Sequence, residues 1–497
     1  MRQAFRNQPT LDCPSPDQVA LNFQCRDEIV PILRALQHVY SNGEVRKSIL
    51  DAIGKDVNRT TSKKKGRPGL DYWEILVLGA VRQGCNLDYD KLQNLAEEHR
   101  TMRLMMGIGS WEDLKDKKGR KKFDWRTLRD NVGLLQAETL QKLNQAIVAA
   151  GHVLVPEAAK HVRGDTFVVE TNVHYPTESS LIGDGLRKVL KESSDLAKAH
   201  QVPGWRQHKQ LHKQVRIQVR EIGTAARSKK SNKEERIQKG YRQLLGVAKD
   251  ILSRARFLVT TLSAMAGTML AVLRQSAGQQ ELEHYIDLTV RVCDTARRRV
   301  LEGETVGNEE KIFSIFEPHT ELIQRGKQPN PIQFGHNVLV IEDAVGFICY
   351  YEVVGKGVAE VNLVVPAMRT LQKRLNGKIE CASFDRGFHS PENQKELAKI
   401  VKHQCLAPKG TDADHKQKQA SVKYRQSRRR HPGVESTVGA LQVGNGMERC
   451  RDRHERGYER YVGLGVLGRN LHVLGKLLIA QESPQSQAGK SKRKKAK

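Results

Sequence analysis

Apolar residues recur three and four positions apart through the first third of the chain. The pattern is clearest in "RDEIVPILRALQHVYSN" (26–42) and "LDYWEILVLGAVRQGCNLDYDKLQNLAEEHRTMRLMM" (70–106). That is the period of an amphipathic helix. A third such segment, "DWRTLRDNVGLLQAETLQKLNQAIVAAG", covers 124–151. Basic loops separate them, "TTSKKKGRPGL" at 60–70 and "KDKKGRKK" at 115–122. Residues 1–155 therefore read as an all-α N-terminal region. At 161–185, "HVRGDTFVVETNVHYPTESSLIGDG" changes to β-branched residues followed by turn residues, the signature of a strand and its exit. The helical period returns over 187–305.

From 332 onward the texture is mixed. "HNVLVIEDAVGFICYYEVVGKG" predicts two strands with a turn at Glu342–Gly346, and "VNLVVPAMRTLQKRLNG" an amphipathic helix ending at Gly377. "KIECASFDRGF" is a strand. "SPENQKELAKIVK" is a helix with a serine cap and an early glutamate. "HQCLAP" is a short strand, and "GVESTVGALQ" a helix with Val434, Val438 and Leu441 on one side. Setting 187–305 aside leaves the order β-β-β-α-β-α-β-α. That is the order of an RNase H-like core: an α/β fold with a mixed five-stranded sheet and flanking helices. Here a helical insertion interrupts it after the first strand. The expected layout is a helical region at 1–155, the α/β core at 156–186 and 306–478, a basic helical insertion at 187–305, and a disordered basic tail at 479–497.

Charge narrows the partners. The 497 residues hold 84 Lys and Arg against 56 Asp and Glu, a net +28. A field of that sign attracts polyanions, nucleic acid first. Residues 206–256 carry 15 basic and four acidic residues, 15 − 4 = +11, enough to wrap a polyanion. Eight cysteines are scattered without a C-x-x-C pair, so a zinc knuckle is not expected and the thiols read as reduced. The first residues lack the apolar stretch of a signal peptide. The uncharged run Phe257–Leu273 is 17 residues long but diluted by Thr260, Thr261, Ser263 and Thr268, and reads as a buried helix. Neither a G-x-x-x-x-G-K-[ST] loop nor an H-E-x-x-H or G-x-S-x-G motif occurs, so no nucleotide cofactor is expected.

The candidate chemistry is a carboxylate set. "CASFDRGFHSPENQKEL" ends a strand on Asp385, and an acid at a strand tip faces a cleft instead of a core. In the RNase H-like order, the slots on the first strand, fourth strand and late helix hold Asp165, Asp385 and Glu435. They lie 385 − 165 = 220 and 435 − 385 = 50 residues apart. Hydrolysis or transfer at a phosphodiester develops charge on the attacking and leaving oxygens, which two divalent ions can stabilise. Such hard ions prefer carboxylate oxygen. Arg386 has two readings, an approach to the scissile phosphate or a pair with Asp385. Arg428, Arg429 and Arg430 read as contacts to the DNA backbone or as a solvated face.

The stretches "GDTFVVETNVHYPTESSLIGDGLR", "FSIFEPHTELIQRGK", "ASFDRGFHSPENQ" and "RRRHPGVESTVGALQ" resemble the DDE transposases of bacterial insertion sequences. So does "GRPGLDYWEILVLGAVRQGCNLDYDKL", and the ISNCY type is the closest of that group. The resemblance implies an enzyme that binds the inverted-repeat ends of its element, cleaves them hydrolytically and joins the 3′-hydroxyls to target DNA. It implies Asp165, Asp385 and Glu435 as catalytic residues and ligands of Mg²⁺ or Mn²⁺, two ions. DNA contacts would come from Lys63, Lys64, Lys65, Arg67, Arg386, Arg428, Arg429, Arg430 and His431. It also implies a dimer or higher oligomer on double-stranded DNA, in the bacterial cytoplasm at the nucleoid, with no membrane. Cut-and-paste relatives often carry Tyr, Arg and Lys where this chain has Arg428, His431 and Gln442. The other readings are a DNA-binding regulator, a decayed transposase, or an RNase H-like nuclease.

Overall fold

A computed structural model describes residues 3–5, 13–59, 69–109, 123–265, 269–324, 331–407 and 421–482. The chain divides into two compact units, one of Met1–Thr171 with His336–Lys497 and one of Asn172–Gly335.

In the first unit, helices Ile29–Ser41, Gly43–Val57, Tyr72–Gly84, Tyr89–Glu98, Trp125–Val132 and Ala137–Leu154 follow the predicted period. Their ends are chemically specified. Asp71 and Glu74 form a capping box ahead of Tyr72–Gly84, and Asn42 and Asp88 cap the helices that follow them. These helices and the sheet share one continuous core, in which Ile32, Trp73 and Leu143 join Leu339, Phe384 and Leu406.

The sheet is mixed and has six strands, one more than expected. They are β1 His161–Glu170, β2 Glu321–Gln324, β3 Ile332–Asp343, β4 Ile348–Val353, β5 Cys381–Phe384 and β6 His403–Leu406. The order is β2-β3-β1-β5-β6, with β4 also on β3. β4 is antiparallel to β3, while β5 is parallel to β1 and β6 parallel to β5. The unforeseen strand is β2, four residues that pair with the start of β3 inside the second unit.

Alternation along β3 buries both faces. Leu339 and Ile341 enter the main core; Val338 and Val340 enter a second core with Phe167, Tyr458 and Val466. The helix His454–Glu482 serves both cores, which is why it is apolar on every side. Among the described residues it is the one helix long and apolar enough to cross a membrane, and 72% of its most apolar window is buried within the fold. It extends through 479–482, which the sequence assigned to the tail, and Arg34 pairs with Glu482 at its end.

The second unit packs helices Glu178–Ala199, His208–Ala226, Lys233–Ala264 and Met269–Ala296 around Leu186, Val189, Leu244, Leu258 and Leu282. Two details differ from expectation. The first helix begins at Glu178, earlier than 187, because Thr177 caps it with a hydrogen bond from the Ser180 N–H. The apolar run 257–273 is not one buried helix: one helix ends at Ala264 and the next begins at Met269, with Phe257 and Met265 exposed.

Candidate active site

β1 and β5 run parallel with His161 opposite Cys381 and Gly164 opposite Phe384. The next residues are Asp165, still on β1, and Asp385, just past the end of β5, and the charge of Asp385 acts on Asp165. Residues opposite one another on neighbouring strands project to the same face, with strands about 4.8 Å apart. Two acids that are 220 residues apart in sequence (385 − 165) thus meet at the tip of β5.

Their surroundings separate them electrostatically. Burial pushes Asp165 up to about 6, with the charges of Asp385 and Glu360 adding and the Thr166 N–H and His431 opposing. A hydrogen bond from His431 holds Asp385 below the usual carboxylate value against partial burial, and Arg428 assists. One oxygen of each acid is engaged. Asp165 Oδ1 accepts the Thr166 N–H at 2.8 Å, and Asp385 Oδ1 lies 2.8 Å from His431 Nε2 and 3.7 Å from Arg428. Among the described residues the second oxygen of each acid takes no hydrogen bond. Two ionisable carboxylates side by side, each with an oxygen to spare, fit a hard divalent cation.

A third carboxylate reaches this place, and it is not the expected one. Glu360 stands on a short turn ahead of helix Val364–Arg374, accepts a hydrogen bond from Thr166 Oγ1, and raises Asp165. Its carboxylate also lies against the glycine two residues after Asp385. A Cβ on Gly387 would meet Glu360 Oε2, so a side chain there would shift that carboxylate. Sequence reading passed over Glu360 because an acid just before a helix reads as an ordinary first-turn residue.

Glu435 lies on helix Gly433–Gly439, beside β1: a Cβ on Gly433 would touch the Arg163 guanidinium. Its carboxylate is exposed and has no hydrogen bond or ion pair among the described residues. Glu448, another acid late in the chain, lies at the far end of β1. Its carbonyl accepts the Glu170 N–H, five residues beyond Asp165, or about 17 Å along the strand at ~3.3 Å per residue.

The basic residues divide into three groups. Arg429 and Arg430 are exposed on helix Val422–Arg430, and Arg386 is exposed on the turn after β5. Arg428 turns inward, donating to the Phe384 carbonyl at 3.3 Å and facing Asp385. His431 is buried, with Nδ1 3.1 Å from Ser383 Oγ and Nε2 on Asp385. With both nitrogens occupied it orients Asp385 and is not placed for a phosphate contact. Arg163 pairs with Glu342 and donates to the Arg430 carbonyl at 2.7 Å, tying β1 to β3 and to the helix of arginines instead of masking Asp165. Lys63, Lys64, Lys65 and Arg67 lie outside the described residues.

A different group is the one trio of His, Cys or carboxylate donor atoms among the described residues that lie within 4.8 Å of one another: His152, Asp343 and Cys349. Asp343 Oδ1 accepts the N–H groups of Val345, Gly346 and Phe347, and Oδ2 lies 2.9 Å from His152 Nε2. The Cys349 sulfur is 4.0 Å from that same nitrogen. A nucleophilic relay needs the two ring nitrogens to serve different partners, so this is not one. Burial holds the thiol well above its usual value, and it donates to the Phe347 carbonyl at 3.5 Å. The trio closes the β3–β4 turn against helix Ala137–Leu154.

Comparison of the chain with protein-family models, with curated proteins and with solved structures finds no match.

Proposed function

We propose that this chain is a metal-dependent DNA transposase with an RNase H-like catalytic core. The observation that carries the reading is the parallel pairing of β1 with β5, which brings Asp165 on β1 within electrostatic reach of Asp385, the residue just after β5. The strand order β4-β3-β1-β5-β6, with β1, β5 and β6 parallel, supports the core assignment. The net charge of +28 supports DNA as partner. Asp165 and Asp385 would hold Mg²⁺ or Mn²⁺, with Glu360 or Glu435 completing the set. When bound, the ions would activate water and then a 3′-hydroxyl and stabilise the charge that develops on phosphate. His431 and Ser383 fix the direction of Asp385, and Arg428 moderates its charge. Arg386, Arg429 and Arg430 are exposed and available to the DNA backbone. Joining two element ends needs both in one complex, so the active form would be a dimer or higher.

The test is cleavage and joining of the DNA flanking this gene, with Mg²⁺ and with EDTA, by wild type and Asp385→Asn. Mg²⁺-dependent cuts at the element boundary followed by strand joining, both lost in the variant while DNA binding persists, are expected. Cutting without joining would assign an RNase H-like nuclease. Specific binding without cutting by either protein would assign a regulator or decayed copy. Equal cutting by both proteins would remove Asp385 from the site.

A further inference from the structure

The second unit contains a cavity of about 310 Å³, near the lower end of the ~300–1,000 Å³ typical of small-ligand sites. Three aromatic rings line it, Tyr175, Phe313 and Phe334. Phe334 touches both others: its centroid is 5.6 Å from Tyr175, edge to face, and 5.7 Å from Phe313. Tyr175 is 70% exposed although it packs on Phe334, so one face of the ring is open. Arg299, Lys311 and Glu178 line the same cavity. Glu178 pairs with Arg299, which leaves the lining with 2 − 1 = +1 net charge. Burial and then the neighbouring Arg299 disfavour the charge on Lys311, with Glu309 opposing, so an anion placed beside Lys311 would favour its charged form. The adjacent helix start does not supply the anion contact. The Ser179 N–H donates to Tyr241 Oη at 3.1 Å and the Ser180 N–H to Thr177 Oγ1 at 3.2 Å. The anion would therefore meet side chains.

A ligand that suits such a lining is flat and aromatic at one end and anionic at the other. We propose that this cavity takes one unstacked nucleotide of DNA, its base against Tyr175 and Phe334 and its phosphate toward Lys311 and Arg299. Stacking on aromatic side chains is sequence-tolerant, because every base has a π-face. A paired base within a duplex cannot enter, since its faces are covered by its neighbours, so the site would select unpaired or extruded nucleotides. The choice of DNA as the source rests on the transposase reading; the nucleotide chemistry does not.

Two fluorescent probes test this with the full chain in EDTA, where no strand is cut. One is 2-aminopurine deoxyribonucleoside 5′-monophosphate; the other is a duplex with a single unpaired 2-aminopurine. Wild type is expected to quench both saturably. Tyr175→Ala, which truncates an exposed ring, is expected to weaken mononucleotide binding by roughly 5- to 150-fold. Lys311→Gln is expected to weaken the monophosphate but not the nucleoside lacking phosphate. Circular dichroism of each variant shows whether the helices are intact. No saturable quenching of either probe by wild type, or equal quenching by a folded Tyr175→Ala protein, would overturn the proposal. Mononucleotide binding without DNA binding would keep the cavity assignment and remove the transposase reading. Mg²⁺-dependent cutting with neither probe quenched would do the reverse.

Discussion

Asp165 and Asp385 show how one residue's position acquires meaning from its neighbours. Each is an ordinary acid in sequence, and only the parallel register of β1 with β5 makes them a pair. His431 then sets the pair apart by holding one acid down while burial lifts the other. If Asp385 is a metal ligand as proposed, His431→Gln should lower Mg²⁺-dependent cleavage about 10- to 100-fold, the usual cost of losing a partner that orients a ligand. Melting temperature should show the variant folded, and unchanged cleavage would deny His431 that role. Glu360→Gln and Glu435→Gln measure which acid completes the set. The contact of Glu360 with Thr166 and Gly387 makes Glu360→Gln the more damaging, with Gly387→Ala a milder version of the same defect. A larger loss from Glu435→Gln would reverse that assignment.

His472 gives a pH prediction. Burial, with Lys476 and Arg469 adding, lowers it from 6.5 to about 4. The folded chain keeps it neutral while the unfolded chain takes up a proton below 6.5, so folding stability must fall as pH drops from 6.5 toward 4. The loss of urea midpoint on acidification should be smaller in His472→Gln than in wild type. Equal losses would exclude this source.

At the scale of elements, the period of apolar residues predicts the N-terminal helices, the β3–β4 hairpin and the capped helix Pro391–Ile400. It does not predict where helix Glu178–Ala199 starts, because a cap outweighs local hydrophobicity, nor that one helix ends at Ala264 within the run 257–273. Nor does it reveal what helix His454–Glu482 supports. Asn470, fully buried there, accepts the Ile348 N–H at 2.8 Å and donates to the Ile348 carbonyl and to Asn144 Oδ1. Asn470→Leu strands those groups and should cost on the order of 3 kcal/mol, read as a fall in urea midpoint. On the same helix a Cβ at Gly475 would clash with the Pro31 carbonyl oxygen. That obstacle is backbone, so Gly475→Ala should destabilise the contact with helix Ile29–Ser41 although alanine favours helices.

For the whole molecule, the net +28 is a property of composition and needs no fold. If six to ten phosphates are contacted, DNA affinity should fall about 10³- to 10⁵-fold between 50 and 200 mM salt. A flat salt response in a binding titration would contradict a phosphate-dominated interface.

Composition and local spacing by themselves determined the charge, the helical start of the chain, the alternation of strands and helices after 332, and the acid placed at a strand tip. Each depends on residues a few positions apart. Tertiary structure alone decided that Glu360 joins Asp165 across 360 − 165 = 195 residues, that Glu435 stays exposed, and that His431 turns inward to Asp385. It also decided that one late helix fills two cores. Those outcomes depend on strand register and on which faces are buried, and both are set by contacts through space between segments whose sequences are unrelated.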